Sequence, residues 1–368
     1  MAIAGGNITL DSTEGMDKIS QTDKVTSPYH SNGDTNLLAA NIVTSSLTAT
    51  NEKYFFGISH SDTATTEEWN VAFGSTNGYG VNLEANTKSE TEAIYKQYAS
   101  LLLAPTEVTG GFFISAGKTL TGARTAITGK DEEIFIMSAR RSNMKDRLNK
   151  GTWTLTMSGS NGTDLVGSHK LQLTDDSVNS NPTATPAGDR YNIVGGTAGT
   201  VVTASTVTNF GFFYPDMGIM VFSAAELSAS IPGTTLGASH VAAFDSASSR
   251  GFHFTKNTTA DLKPALRFIN CLKADEGKIS FRDEEDQVSA QYFCRVKSGQ
   301  MNFSNNPTYV SGSLNQLRQT TMKGNPNTFI SSVQLYNNSG EMVAVGNLST
   351  PLKKNFSSEA TIKVKLTY

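Results

Sequence analysis

Cysteine is scarce in this sequence, and its scarcity limits the chemistry that the chain can carry. The 368 residues include two cysteines, Cys271 and Cys294. Their separation matches neither a metal-binding motif nor a redox motif. Each cysteine lies among apolar neighbours, which favours buried free thiols over a disulfide. Cysteine usage therefore indicates assembly in a reducing cytoplasm.

Histidine is scarce as well, and its spacing excludes a local metal site. None of the five histidines lies within four residues of another, so no turn or helix presents a metal-binding pair. The sequence also lacks the Gly-X-Ser-X-Gly elbow of hydrolases and the phosphate-binding Walker loop. The histidines are His30, His60, His169, His240 and His253.

Two acidic clusters remain as sources of catalytic groups. Glu132 and Glu133 form one cluster, and residues 283–286 form the other. Two converging carboxylates would suit glycoside hydrolysis, and several carboxylate oxygens would suit calcium. The second cluster lacks the spacing of a calcium loop, and we interpret both clusters as solvated turns. We therefore predict a protein that is not an enzyme and that carries no metal and no cofactor.

Charge of either sign is limited and nearly balanced. The formal net charge is −3, from 30 Lys and Arg residues against 33 Asp and Glu residues. A chain this close to neutral has no global attraction to nucleic acid or to an anionic membrane. No run approaches the ~20 apolar residues of a membrane helix, and the N-terminal residues lack the pattern of a secretory signal. We expect neither nucleic acid nor a membrane as a partner.

Positive charge is concentrated in one basic segment, residues 140–150. This segment is compatible with a solvated surface, with an ion-paired subunit interface, and with a contact to phosphates or an acidic partner. Aromatic residues are not interleaved with these charges, which argues against binding of single-stranded nucleic acid. The candidate interface residues, which include two lysines of the last strand, are Arg140, Arg141, Lys145, Arg147, Lys363 and Lys365.

The last stretch of the chain has the clearest strand pattern. Val333 and Leu335 alternate with polar residues, and residues 337–340 give the turn signal of a hairpin. In the final segment, apolar and polar residues alternate with a period of two, which predicts a strand with one dry face and one wet face. The dry face consists of Ile362, Val364, Leu366 and Tyr368.

Short alternating or apolar runs elsewhere predict further strands. The predicted fold class is therefore mainly β with a few short α-helices (β-rich α+β), with antiparallel sheets and a C-terminal strand that closes a sheet. The predicted strands outside the C-terminal hairpin and last strand are 54–58, 69–73, 110–115, 133–138, 153–158, 170–173, 191–194, 209–214, 217–222, 291–297 and 301–303.

The best helix is predicted over residues 89–104. Ser89 and Glu92 have the spacing of a capping box, and Pro105 ends the helix. Shorter helical segments are predicted at 144–148, directly after Ser223, and over 261–272. The face of the first helix that is expected to pack on the core consists of Ile94, Tyr98, Leu101 and Leu102, with Tyr95 as a partial second anchor.

Composition along the chain divides it into three predicted regions. Residues 1–50 are an extended N-terminal arm with too little apolar content to fold alone. This arm either trails as a flexible tail or orders against the body or neighbouring subunits. Residues 51–175 are a β-rich domain with the amphipathic helix, and residues 190–368 are a β-rich C-terminal domain.

A set of stretches, in order from about residue 92 to the end, carries a resemblance to a known family. The stretches are Ile94–Leu103, Ile134–Leu155, Tyr191–Gly196, Phe213–Gly218, Tyr292–Val296, Asn302–Pro307 and Asn325–Asn337 with the strands that follow. Together they resemble virion structural proteins of tailed bacteriophages, particularly large marine and T4-like phages. The chain departs from that pattern at Gly346-Asn347, where a more basic stretch is usual.

The resemblance implies a structural component of a tailed-phage virion, in the tail or baseplate, and it implies no activity. It also implies other copies of the chain and other virion proteins as partners, a homo-oligomer within a larger assembly, and localisation in a virion assembled in the host cytoplasm. One alternative is a receptor- or glycan-binding adhesin at a tail tip, with Tyr54, Trp69 or Tyr309 lining a groove. A second alternative is a glycan-degrading enzyme with two carboxylates in a cleft.

Overall fold

The structure is a computed structural model of the whole chain, and it describes fifteen ranges of it. The described residues are 8–10, 17–29, 34–36, 42–43, 54–59, 67–78, 90–114, 129–158, 170–202, 208–230, 264–273, 278–304, 306–312, 314 and 316–368. Most of the predicted arm and the capping residue Ser89 lie outside these ranges.

Strands dominate the described residues. In chain order they are β1 (Lys18–Pro28), β2 (Asp34–Asn36), β3 (Ile42–Val43), β4 (Phe55–Ser59), β5 (Glu67–Ser75), β6 (Glu133–Ala139), β7 (Arg147–Leu148), β8 (Leu155–Ser158), β9 (Lys170–Asp175), β10 (Thr183–Thr185), β11 (Gly188–Thr197), β12 (Thr200–Val201), β13 (Asn209–Tyr214), β14 (Ile219–Ser223), β15 (Lys278–Ser280), β16 (Arg282–Val296), β17 (Val310–Ser311), β18 (Gln316–Leu317), β19 (Thr328–Tyr336), β20 (Met342–Lys354) and β21 (Ala360–Thr367).

Helices are few and short, and the fold class predicted from the sequence is confirmed: the protein is mainly β with antiparallel sheets. The α-helices are α1 (Glu90–Leu102), α2 (Ala224–Ser230) and α3 (Pro264–Lys273), and single 3-10 turns occupy Arg141–Asn143 and Thr320–Met322.

The described residues form two compact units. The terminal unit comprises Met1–Lys24 and Asp286–Tyr368, and the central unit comprises Val25–Glu285. The central unit runs through the predicted boundary at 175–190, because β9 pairs directly with β11, Ile193 lying opposite Asp175. That residues 51–175 and residues 190–368 each fold as a separate domain stays a prediction.

The central unit is built on one eleven-stranded antiparallel sheet that curls into a half-barrel. The strand order is β3-β4-β5-β6-β14-β13-β11-β9-β8, and β10 and β12 also pair with β11. Pairs such as β13 and β14 are hairpins between neighbours in the chain. The pairing of β6 with β14, with Ile136 opposite Val221, joins the two halves of the sheet.

The inner strands are buried on both faces, so their side chains divide between two apolar layers. In β6, Phe135 and Met137 belong to one layer, whereas Ile134 and Ile136 belong to the other. Helix α3 packs in the first layer and helix α1 in the second. Burial on both faces explains why β6 reads as a continuous apolar run without polar alternation.

Helix α1 is confirmed, and its predicted face packs on the core except at one position. Leu102 is buried and Ile94 and Tyr98 pack partly buried against the core, whereas Leu101 is 41% exposed. Tyr95, the predicted second anchor, is buried together with Ala99. The Tyr95 hydroxyl donates to the Asp131 carbonyl at 2.9 Å and accepts from the Phe112 amide at 3.1 Å. These polar contacts turn the helix so that Tyr95 faces inward, and a pattern of apolar residues does not show them.

Two other segments differ from their predicted structure because side chains bind their backbone. The strand predicted at 110–115 is wrong, since this segment is irregular and the Ile114 amide donates to Asp131 Oδ2 at 2.8 Å. The strand predicted at 301–303 is also wrong. Met301 there has a positive φ of 54°, which interrupts extended backbone.

The helical turns predicted at 144–148 are wrong as well. A single 3-10 turn occupies the residues before Met144, and Leu148 lies in the short strand β7. Leu148 is fully buried, and its amide donates to the Pro215 carbonyl at 3.1 Å. This bond replaces a helical hydrogen bond within the segment.

The terminal unit contains the last strand of the chain, as predicted. There β21 pairs antiparallel with β16 from Ser289↔Thr367 to Val296↔Ala360. The alternation predicted for β21 is present, but Ile362, Val364 and Leu366 are half-buried, so the dry face is only partly covered. The pairs β17–β18 and β19–β20 form separate two-stranded sheets.

Candidate assembly surface

The hairpin of β19 and β20 belongs to the terminal unit, and most of its residues are exposed. The two strands pair from Thr328↔Lys354 at the base to Tyr336↔Met342 at the tip. Within the part of the chain that the structure describes, no third strand joins them. A two-stranded sheet is marginally stable in water by itself, so contacts at its ends must hold it in place.

The tip of the hairpin is held by one asparagine. Asn337 Oδ1 accepts from the Ser339 amide at 3.0 Å and from the Glu341 amide at 2.8 Å. Gly340 has a φ of 81°, a left-handed conformation in which glycine is favoured. The turn predicted from Asn337 to Gly340 is therefore confirmed.

The base of the hairpin is held by a buried lysine. Lys354 is fully buried, and its ammonium donates to the Ser298 carbonyl at 3.0 Å, to Asn302 Oδ1 at 2.9 Å and to the Asn355 carbonyl at 2.8 Å. Thr328, opposite Lys354, donates from Oγ1 to the Met301 carbonyl at 2.6 Å. These contacts fasten the base of the hairpin to the loop at 298–302.

Between these fastened ends, large apolar side chains face solvent. Phe329 and Val343 are each 61% exposed, and Met342 and Val345 are each 56% exposed. Residues 342–350 and the whole of β19 contain no charged residue. Exposed apolar side chains grouped in this way make the hairpin a candidate interaction surface.

Exposed apolar groups are concentrated in the terminal unit. Among the described residues, eleven of the sixteen exposed large apolar side chains belong to it, although it is the smaller unit. The sequence alone predicts the hairpin but not its exposure. Adjacent apolar residues such as Phe329-Ile330 do not distinguish exposure from burial on both faces, which a similar run in β6 has.

The basic segment meets an acidic partner within its own unit. Arg147 Nε lies 2.8 Å from Glu284 Oε1, and Asn149 Nδ2 donates to Glu284 Oε2 at 3.0 Å. Lys145 forms an ion pair with Glu285, and this contact raises the pKa of Lys145. These contacts neutralise much of the charge that the sequence offers at a subunit interface.

The two preceding arginines bind backbone instead. Arg140 Nη1 donates to the Glu67 carbonyl at 3.1 Å, and Arg141 Nη1 donates to the Asp146 carbonyl at 3.0 Å. Lys363 and Lys365 are exposed on the wet face of β21. The structure thus separates the six candidate residues into a group within the central unit and two lysines in the terminal unit, and their role as an interface stays a prediction.

The acidic cluster at 283–286 is not the solvated turn that the sequence predicts. All four residues lie within β16, where Asp283 and Glu284 are buried. Burial raises the pKa of Asp283 to about 6, although a hydrogen bond from the Lys145 amide and the charges of Lys145 and Arg141 act in the opposite direction. Among the described residues, Asp283 Oδ1 accepts no hydrogen bond. The positive charges of the basic segment offset the negative charges of this cluster, and for this reason the cluster can lie within a strand.

The aromatic side chains that an adhesin would need, and the acidic pair that a glycan-degrading enzyme would need, are not all placed as those two alternatives require. Trp69 is fully buried in the core, so the prediction that it lines a glycan-binding groove is wrong. Tyr54 is half-buried against the same core. Of the acidic pair at 132–133, Glu132 is exposed and accepts a hydrogen bond from Asn77 Nδ2 at 3.2 Å.

The described ranges contain neither a metal-binding cluster nor a membrane-spanning helix. There, no three His, Cys, Asp or Glu side chains form a group that could hold a metal ion. Over the same ranges, no helix is both long and apolar enough to cross a membrane. Both cysteines are free thiols, with Cys271 buried and Cys294 half-buried, and burial raises the pKa of Cys294.

Comparison of the chain with protein-family models, with curated proteins and with solved structures gives no match. The resemblance to tailed-phage virion proteins therefore stays a prediction from the sequence. The candidate site rests on the geometry of the hairpin.

Proposed function

We propose that this chain is a structural component of a tailed-bacteriophage virion, in the tail or baseplate, which acts through contacts between subunits. The observation that carries the proposal is the hairpin of β19 and β20, which is fastened at both ends and exposes several large apolar side chains. An ordered apolar element that its own unit leaves uncovered is stabilised by burial in an assembly.

The chemistry of the hairpin supports a protein partner. Its large exposed side chains are mainly apolar, and neither β19 nor residues 342–350 carry a charge. Sugars are recognised through polar groups placed beside aromatic faces in concave sites. The burial of Trp69 removes the largest aromatic side chain that an adhesin groove would use.

The virion assignment draws on the sequence resemblance, which spans residue 92 to the end. The partners are other copies of the chain and other virion proteins, and the protein is assembled in the host cytoplasm. Free thiols at Cys271 and Cys294 are compatible with assembly in a reducing compartment.

The experiment is quantitative mass spectrometry of particles purified from a lysate that produces this chain. We expect its peptides at a fixed ratio to the major capsid protein through successive purification steps. A chain that stays in the particle-free fraction, with its ratio to capsid protein falling at each step, would overturn the virion assignment.

A further inference from the structure

The two free edges of the hairpin differ in how they are built. At both irregularities of the pairing, the extra residues lie on β20: Val343 is one, and residues 348–351 stand opposite Ser331 alone. Strand β20 also carries Pro351 and Lys353. Strand β19 has nine residues without charge, proline, glycine or extra residues.

Bulges, prolines and lysines are the devices that keep an exposed strand edge from pairing with another chain. All of them are present on β20, and β19 has none. Residues 328–336 therefore offer a regular row of backbone donors and acceptors about 30 Å long. An edge left open beside a protected one is suited to pairing.

We propose that β19 pairs with β19 of a second copy, antiparallel and centred on Ser332, so that two hairpins form one four-stranded sheet. This inference rests on the proposed function and specifies its contact. A two-fold axis through Ser332 places Phe329 opposite the second copy's Leu335 and Ile330 opposite its Gln334. Each pair lies on one face of the sheet, because antiparallel partners share a face.

The second copy fits this edge because the strand is complementary to itself. No charge meets a like charge in this register, since β19 has none. The pairs of Phe329 with Leu335 and of Thr328 with Tyr336 match large side chains with apolar or β-branched ones, which stabilises neighbouring strands. The contact is isologous, so it closes as a dimer and does not extend into a fibre.

Pairing with a second copy would also stabilise the hairpin, which is only marginally stable as two strands. Four strands with a shared apolar face are stable where two are not. The exposed Phe329 and the half-buried Val333 and Leu335 lie on the same face of β19 and would gain apolar neighbours from the second copy. Pairing would therefore bury the flanks of these β19 side chains against those of the second copy.

The first test is a cross-link at the two-fold axis in the full chain. In Ser332→Cys the two introduced thiols face each other at about 4.5–5.5 Å between Cα atoms, within disulfide range. Mild oxidation should give a covalent dimer that a reductant reverses. Val345→Cys is the matched control, because β20 strands in the four-stranded sheet are three spacings, or ~14 Å, apart. Absence of the Ser332→Cys dimer, or equal cross-linking of both variants, would overturn the pairing.

The second test uses charge and light scattering on the full chain. Ser332→Lys places two ammonium groups opposite each other, and we expect the dimer dissociation constant to rise by about tenfold or more. Thr350→Lys, exposed in the bulged part of β20, should leave the dimer unchanged. A monomeric parent chain, or a Ser332→Lys mass equal to the parent mass, would contradict the inference.

The two proposals fail separately. If Ser332→Cys does not cross-link while the chain copurifies with particles, the β19 pairing is wrong and the virion assignment stands. If it cross-links while the chain is absent from particles, the dimer stands and the virion assignment is wrong.

Discussion

The central and terminal units place their apolar side chains in opposite ways. All ten of the largest fully buried side chains among the described residues belong to the central unit, whereas eleven of the sixteen exposed large apolar ones belong to the terminal unit. The central unit has strands buried on both faces and helices over each layer. The terminal unit has two two-stranded sheets and the strand β21, which pairs with β16 and whose apolar face is half-buried.

This difference indicates where each unit obtains its stability. The central unit removes its apolar surface from water by its own folding. The terminal unit is ordered by polar contacts such as those of Lys354 and leaves apolar surface exposed. Under the proposed function, it is the part of the molecule in which assembly and folding would be coupled.

The largest expected loss of stability follows removal of a buried phenylalanine ring, and removal of an exposed ring serves as the comparison. Phe135 lies 5.3 Å from Phe73 and 5.1 Å from Phe268 between ring centroids, and it is fully buried. We expect Phe135→Ala to lower the free energy of unfolding by about 3–5 kcal/mol, because it leaves a cavity. Phe356→Ala, at a ring that is 52% exposed in the terminal unit, should cost less than about 1 kcal/mol. If calorimetry showed similar losses of unfolding free energy in the two variants, the expected difference between the units would be contradicted.

A pH-dependent effect is expected at Asp283 in the central unit. Its pKa is raised to about 6, above the value near 3.8 of an unfolded chain, so the native state holds the proton more tightly. The contribution of Asp283 to stability is therefore greatest below about pH 4 and is lost as the pH rises to about 6, by up to about 3 kcal/mol. Asp283→Asn should remove this loss.

Urea unfolding at several pH values measures this effect. The variant should be more stable than the parent at pH 8 and equal to it below about pH 4, where Asp283 is protonated. The low-pH measurement serves as the control for structural damage. A variant that is less stable than the parent at pH 8 would show that the carboxylate contributes favourable contacts.

A smaller loss is expected at the base of the hairpin. Lys354→Ala leaves three oxygen acceptors, one buried and two partly buried, without their donor, which costs about 1–3 kcal/mol. Hydrogen exchange of the β19 and β20 amides should accelerate, while amides of β6 keep their protection. The exposed neighbour gives the control Lys353→Ala, and acceleration in both variants would exclude a specific role for the buried ammonium.

The smallest effect is expected on the wet face of β21. The double variant Lys363→Glu with Lys365→Glu should change stability by less than about 0.5 kcal/mol, because both side chains are exposed. Its solution mass tests these lysines as an interface. A lower mass than the parent would favour the interface predicted from the sequence, and an unchanged mass would confine self-contact to the apolar hairpin.

The sequence predicts elements well where one periodic pattern determines them. The hairpin, the last strand and α1 follow from alternation, from helical spacing and from turn residues such as Asn337 and Gly340. Prediction fails where a distant polar group decides the outcome. The buried face of α1 depends on an acceptor at Asp131, which is 36 positions from Tyr95 along the chain.

The acidic cluster at 283–286 shows the same limit of prediction from local sequence. Four consecutive acidic residues suggest a solvated turn, yet Arg147, more than a hundred positions away, pairs with Glu284 within a strand. Local sequence contains no sign of that partner. The exposure of β19 and β20 was equally unpredictable, because it depends on the lack of a covering element in the described fold.

The aromatic cluster around Phe281 holds both tryptophans, so tryptophan fluorescence reports on the central unit only. The chain has two tryptophans, and the rings of both Trp69 and Trp153 lie about 5 Å from that of Phe281 in the central unit, at 4.8 and 5.3 Å. Both are fully buried, so their emission at short wavelength should follow the central unit alone. Circular dichroism records the strands of both units. A separation of the two signals on heating would reveal the order in which the units unfold, without any added label.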